Sequence, residues 1–111
     1  MLEIQGDKII LSRGDTLEVT FTVEGYIILP GDVVEFCVKK KAAQKEAVVM
    51  SKTINNVENN TVSVLIGKDI TAGLEPGIYA YDLVCTSGEK RVTLNFPNCF
   101  VIREVVHNVQ Q

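Results

Sequence analysis

A Pro-Gly turn that launches an alternating, aromatic-rich run, Leu74-Glu75-Pro76-Gly77-Ile78-Tyr79-Ala80-Tyr81-Asp82-Leu83, constrains the fold of this chain more than any other segment. It reads as the corner of a β-sandwich. Tyr79, two residues past Gly77, sits where a tyrosine at the head of a strand bonds back to upstream backbone across such a corner. The preceding stretch, Lys68 to Gly73, reads as a single helical turn with Asp69 or Thr71 as its cap, carrying Leu74 down as a buried plug under the sandwich.

The rest of the chain alternates in the same way. Thr16 to Val23 places Leu17, Val19, Phe21 and Val23 on one face and Thr16, Glu18, Thr20 and Thr22 on the other, a period of two that packs one face and wets the other. Lys8 to Ser12 is a short strand closed by the turn Arg13-Gly14-Asp15, and Pro30-Gly31-Asp32 punctuates before Val33 to Lys39, whose Val34, Phe36 and Val38 point inward and Glu35, Cys37 and Lys39 outward. Lys41 to Glu46 is too short for an isolated helix and reads as a loop with one helical turn. Ala47 to Ile54 and Thr61 to Ile66 are strands separated by the turn residues Asn55 to Asn60. Ile78 to Thr86 is apolar in both phases, as expected of a central strand covered on two sides. Ser87-Gly88-Glu89 turns into Lys90 to Phe96, Pro97-Asn98 breaks that strand, and Cys99 to Val106 closes the fold. About eight strands with turn signals every 8–12 residues predict an all-β, immunoglobulin-like antiparallel sandwich of about 7–9 strands. It occupies residues 1–106, and 107–111 form a polar tail.

Composition limits the functions such a fold could serve. A chain of 111 residues with 46% apolar and 23% charged side chains fits one folded domain and is too apolar for disorder. A net charge of −3 gives no field that would draw it to nucleic acid or anionic lipid. The basic run Lys39-Lys40-Lys41 reads as a solvated strand end. The N-terminus lacks a signal-peptide pattern and no apolar run is long enough for a membrane span, so the expected product is soluble and made in the cytoplasm. Cys37, Cys85 and Cys99 are odd in number and lack metal-ligand spacing, which favours free thiols. The glycosylation pattern Asn59-Asn60-Thr61 reads as a turn into a strand.

The chain carries little sign of chemistry. His107, the single histidine, stands in the polar tail far in sequence from every cysteine, so a Cys-His pair is not expected. The 14 acidic residues are scattered at strand edges and turns, without a calcium or glycosidase signature. Gly67, Gly73 and Gly77 serve turns rather than a phosphate cradle. No catalytic residue, cofactor or metal site is expected. Most aromatics fall in inward phase, which argues against a nucleic-acid platform; Tyr26, before Ile27-Ile28-Leu29, is the exception, and that apolar loop is the candidate contact surface.

In order and spacing, four stretches make the chain from Ile4 to Val106 resemble the small immunoglobulin-like domain of phage baseplate upper proteins, found in tailed phages and prophages of Gram-positive bacteria. They are Ile10 to Leu17, Gly31 to Lys40, Leu74 to Leu83, and Thr93-Leu94 through Phe100-Val101-Ile102. Cys37 stands where the family often has Thr or another small residue. The resemblance implies a non-enzymatic structural component of a virion tail or baseplate, made in the host cytoplasm, that oligomerises or docks on other tail proteins without nucleic acid or membrane. The long regions with which family members bind receptor-binding proteins are missing here, so a stand-alone module is expected. Its expected contacts are the loop Tyr26, Ile27, Ile28, Leu29 and the terminal strand Val101 to Val106, because open strand edges and apolar loops are what such parts use. Leu74, Pro76, Gly77 and Tyr79 form the structural corner. The alternatives are a carbohydrate-binding or adhesion module, which needs an exposed aromatic pair, and a cytosolic protein-interaction domain.

Overall fold

Runs with period-two alternation become strands throughout a computed structural model that describes residues 2–43, 45–55, 57–95 and 98–106. In chain order the elements are β1 (Leu2–Gln5), β2 (Lys8–Ser12), β3 (Leu17–Thr22), β4 (Val33–Lys39), β5 (Val48–Ile54), β6 (Thr61–Ile66), α1 (Lys68–Ala72), β7 (Gly77–Ser87), β8 (Lys90–Thr93) and β9 (Asn98–Arg103). Phe96, Pro97 and the tail with His107 lie outside the described residues.

The larger sheet runs β1-β2-β9-β7-β4-β5, with β8 also paired to β7, and it faces a two-stranded sheet of β3 and β6. β8 and β9 share one side of β7: β8 takes Val84 to Ser87 and β9 takes Gly77 to Tyr81. Between them the ladder is bridged by the Asn95 side chain, whose Oδ1 accepts the Leu83 N–H at 2.8 Å, while the Leu94 N–H reaches the Leu83 carbonyl at 2.8 Å. Sheet order and connectivity make this an immunoglobulin-like β-sandwich. Every ladder is antiparallel except β2 with β9, which runs parallel and corrects the purely antiparallel expectation.

One further strand escaped the sequence reading. β1 pairs with β2 through a tight turn at Gly6, φ +63°. Its four residues offer only Leu2 and Ile4 as an apolar phase, too short a pattern to be read as a strand. A second correction concerns β9. The terminal segment was expected to be an open contact edge, yet Val101 and Ile102 lie between β2 and β7 with ladders on both sides. The parallel entry of β2 uses up that edge, and among the described residues the larger sheet ends at β1, at β5 and at the far side of β8. A third concerns β7, whose outer phase is covered only at Val84; Ile78 is 73% exposed, because no layer packs on that face. The segment around Lys41–Glu46 is turns rather than helix among its described residues.

The core forms where the inward phases meet. Phe36, Tyr81 and Phe100 are buried, with Phe21 packed against them, and ring centroids lie 5.4–6.4 Å apart in tilted pairs. Each such side chain contributes about 1.5–3 kcal/mol by burial, and each ring pair about 0.5–1.5 kcal/mol more.

The sandwich has two ends, set by the direction of β3. At the lower end, where β3 and β7 begin, the corner forms as expected: the Tyr79 hydroxyl donates to the Glu75 carbonyl at 2.6 Å, and Leu74 is 8% exposed. Pro76 is exposed, and Gly77 opens β7 opposite Ile102. The helix cap differs from the expectation. Gly67 occupies the N-cap position and no side chain caps the helix. The Thr71 hydroxyl instead donates across to the Asp15 carbonyl at 2.6 Å, and Arg13 Nε donates to the Ala72 carbonyl at 3.0 Å. These bonds tie the Arg13-Gly14-Asp15 turn to α1, so that tripeptide is a structural joint.

Candidate functional site

At the upper end the chain crosses from β3 to β4 through residues 23–32, the segment that carries the apolar run Tyr26-Ile27-Ile28-Leu29. A loop of this length needs internal bonds to hold a shape, and two side chains supply them. Asn60 is the first. It follows Asn59 in a tight turn where both residues have positive φ, 53° and 57°, and the Thr61 N–H reaches the Glu58 carbonyl at 2.9 Å. Asparagine tolerates that left-handed backbone better than other non-glycine residues. The turn aims the Asn60 amide into the loop, where Oδ1 accepts the Ile28 N–H at 2.8 Å and Nδ2 donates to the carbonyls of Val23, at 3.0 Å, and Tyr26. The Asn60 backbone carbonyl also accepts the Val23 N–H at 2.9 Å.

Asp32 is the second clamp. Its Oδ2 accepts the Leu29 N–H at 2.9 Å, and the Asp32 N–H returns to the Leu29 carbonyl at 3.1 Å. The carboxyl is buried, bonded also to the Ser87 side chain and 3.8 Å from Cys85 Sγ. Hydrogen bonds from Ser87 and then from the Leu29 backbone hold its pKa below the usual carboxylate value, against the opposing effect of burial. Beside it, burial and the neighbouring Cys85 and Asp32 raise the Tyr26 phenol and, in turn, burial and Asp32 raise the Cys85 thiol. The cluster therefore stays in its bonded state, one carboxylate among neutral donors, at neutral pH.

These clamps divide the apolar run. Tyr26 and Ile28 are half-buried and pack against the core, whereas Ile27 is 73% and Leu29 56% exposed. The four residues therefore do not form one exposed surface as expected: two anchor the loop and two project from it. The Lys90 ammonium lies 5.5 Å from the centroid of the Tyr26 ring, which brings the β7–β8 hairpin against the loop and adds a cation to the rim. Sequence reasoning found the apolar run but missed Asn60 and Asp32, both read only as turn residues. The reach of Asn60 across 32 to 37 positions has no local signature.

A second concavity, about 390 Å³, lies on the outer face of the larger sheet between Glu35, Cys37, Lys39, Asp82 and Arg91, with the 41–43 turn as one wall. Cys37 is the group with nucleophilic chemistry there. Burial first, then Asp82 and Glu35, raise its thiol pKa, outweighing Lys39 and Arg91, so the thiolate a nucleophile needs is disfavoured. The three cysteines are free, and among the described residues no group of three His, Cys, Asp or Glu is placed to hold a metal ion. No helix among those residues is long and apolar enough to cross a membrane.

No protein-family model matches the chain, and no curated protein matches it. Among solved structures it is similar to a candidate glycoside hydrolase from Bacteroides vulgatus ATCC 8482, at 13% identity and a TM-score of 0.48 over 87% of this chain. The chain spans 16% of that protein's length. It is also similar to the extracellular domain of the voltage-gated sodium channel beta4 subunit, described as a parallel homodimer with a role in cell-cell adhesion. That match has 13% identity and a TM-score of 0.39 over 95% of this chain and 98% of the other.

Proposed function

We propose that this domain is a non-enzymatic assembly module that works through protein–protein contacts, its contact surface the upper-end loop, and that it serves in a phage or prophage tail or baseplate. The observation that carries the contact role is the pinned loop: Ile27 and Leu29 are held out in water by bonds from Asn60 and Asp32 to the backbone on either side of them. Exposing two large aliphatic side chains forgoes the roughly 1.5–3 kcal/mol that burying each would return. A rigid presentation lowers the ordering cost of binding, which is how a small apolar surface becomes a usable contact. The phage setting rests on the resemblance in the four stretches from Ile10 to Ile102.

The test is mass spectrometry of phage-like particles purified after inducing prophages in the bacterium that encodes the chain. Its peptides at a fixed ratio to those of tail proteins support the virion role. Particles whose tail proteins appear without it overturn that role, and capture of partners by the wild type but not by Ile27→Ser/Leu29→Ser then tests the contact surface alone.

A further inference from the structure

The two sheets are unequal, and the imbalance leaves a socket. Among the described residues the smaller sheet has only β3 and β6, so β3 has no strand paired on the side away from β6, and alternate N–H and C=O groups along that edge face out. Beside it a cleft of about 160 Å³ opens between β3 and the β1–β2 hairpin. Its floor is Ile9, Val19 and Tyr81, all buried, and its sides include half-buried Phe21 and Ile4, which is 46% exposed. The Tyr81 hydroxyl donates to the Asp7 carbonyl, which fixes the hairpin turn over the floor. Asp7 is the one charged residue lining the cleft, so the rim is acidic.

The space is comparable with the roughly 150 Å³ apolar cavity that holds a benzene molecule. That is room for the end of an isoleucine or leucine side chain. β3 itself carries none of the usual guards of an open edge: Leu17 to Thr22 has no Lys, no Pro and no register irregularity, and Glu18 is its one charge. β5, by contrast, has Lys52 in its middle and an irregular register at Val38/Lys39.

The upper-end loop is the converse of this cleft. It offers two projecting aliphatic side chains and, over the Tyr26 ring that anchors the loop, the Lys90 ammonium. The cleft offers a recess floored by Ile9, Val19 and Tyr81, its accessible lining about evenly polar and apolar, with Asp7 at its rim. We propose that the Ile27–Leu29 projection of one copy seats in the β3-side cleft of a second copy, with Lys90 of the first opposite Asp7 of the second. This inference rests on the assembly role above and names a partner for the same surface. Because projection and cleft are different surfaces of one molecule, the contact either repeats head-to-tail into a ring or an open filament, or is reciprocated about a two-fold axis with each copy filling the other's cleft.

The experiment is a complementation by light scattering. Ile27→Asp destroys the projection and leaves the cleft; Ile4→Asp does the reverse. Both positions are exposed enough to keep the fold, which circular dichroism confirms before mixing. The wild type is expected to gain mass with concentration, to a dimer or beyond, and each variant alone to stay monomeric. A 1:1 mixture should stop at a heterodimer, since only one live projection and one live cleft can meet. Lys90→Glu should weaken wild-type assembly several-fold, and Asp7→Lys in the same chain should restore it. A wild type that remains monomeric at millimolar concentration overturns the proposal, as does a mixture that stays monomeric while the wild type assembles. If the chain is found at fixed ratio in particles but fails these tests, the assembly reading stands and the self-contact falls. If it is absent from particles yet complements, the self-contact stands without the virion role.

Discussion

The two ends of the sandwich are closed by the same kind of bond for opposite results. At the lower end Tyr79, Thr71 and Arg13 each donate to a main-chain carbonyl, and Leu74 and Ala72 beneath those bonds go inside, while Ile70 of α1 and Ile78 at the head of β7, which the bonds do not cover, stay exposed. At the upper end Asn60 and Asp32 also bind main chain, yet the segment they hold keeps only Tyr26 and Ile28 against the core and leaves Ile27 and Leu29 in water. The difference teaches that polar clamps specify a loop's shape whether or not the shape buries anything. Where they close over apolar groups, the result is a sealed end; where they hold them out, it is a contact surface on a rigid base.

The largest effect expected is from Asn60→Ala. It removes three side-chain bonds, each worth roughly 1 kcal/mol net, and puts alanine at a left-handed position, so a loss of about 3 kcal/mol in urea unfolding is expected. Limited proteolysis should then cut first between residues 23 and 32. A loss below about 1 kcal/mol would mean that the upper end is held by packing, and the contrast between the ends would dissolve. Tyr79→Phe removes one hydroxyl bond at the lower end and should cost about 1–1.5 kcal/mol without new proteolysis in 23–32.

Acid should separate the ends further. The Asp32 pKa is depressed in the folded protein, so its contribution is present above the ordinary carboxylate value of 3.8 and is lost as pH falls through the lower folded value. Proteolysis of the upper loop should therefore rise in that range before any cut near α1, and Asp32→Asn should remove the pH dependence. Tyr81 supplies a control in base at the β3-side cleft. Burial first, then Asp7 and Cys99, push its phenol up to about 12, so its contribution is intact below pH 10.0 and is lost as pH rises toward that value. The tyrosinate absorbance of Tyr81, isolated by difference with Tyr81→Phe, should appear only there. The smallest effect is from Ile27→Ser and Leu29→Ser, which should change stability by no more than about 0.5 kcal/mol each, because both side chains are mostly exposed and lie outside the core. A larger loss would make them part of the core and remove the contact surface.

The lower end was legible because its signals are local. Tyr79 and Glu75 are four residues apart, and Pro76-Gly77 announces the corner. The strands followed from alternation for the same reason, with β2, β4 and β6 coinciding with their expected limits. The upper end was legible only as an apolar run. Which two of its four residues point out depends on Asn60, which belongs to another strand's turn and meets the loop only after β3 and β6 have paired. The β9 edge was misread for a related reason: whether a strand is central depends on which neighbours arrive, and the parallel partner β2 comes from about 90 residues away.

By itself, the sequence determined the all-β class, the inward phase of Val34, Phe36, Val38, Tyr79 and Tyr81, and the corner at Leu74 to Tyr79, since strand period and turn chemistry act over a few residues. Only the tertiary structure decided that β1 folds back on β2, that β3 keeps an open edge over a cleft, and that Ile27 and Leu29 project while Tyr26 and Ile28 do not. Those outcomes turn on contacts between segments distant in sequence, where side-chain amides and carboxylates choose among backbone partners that only the folded chain brings within reach.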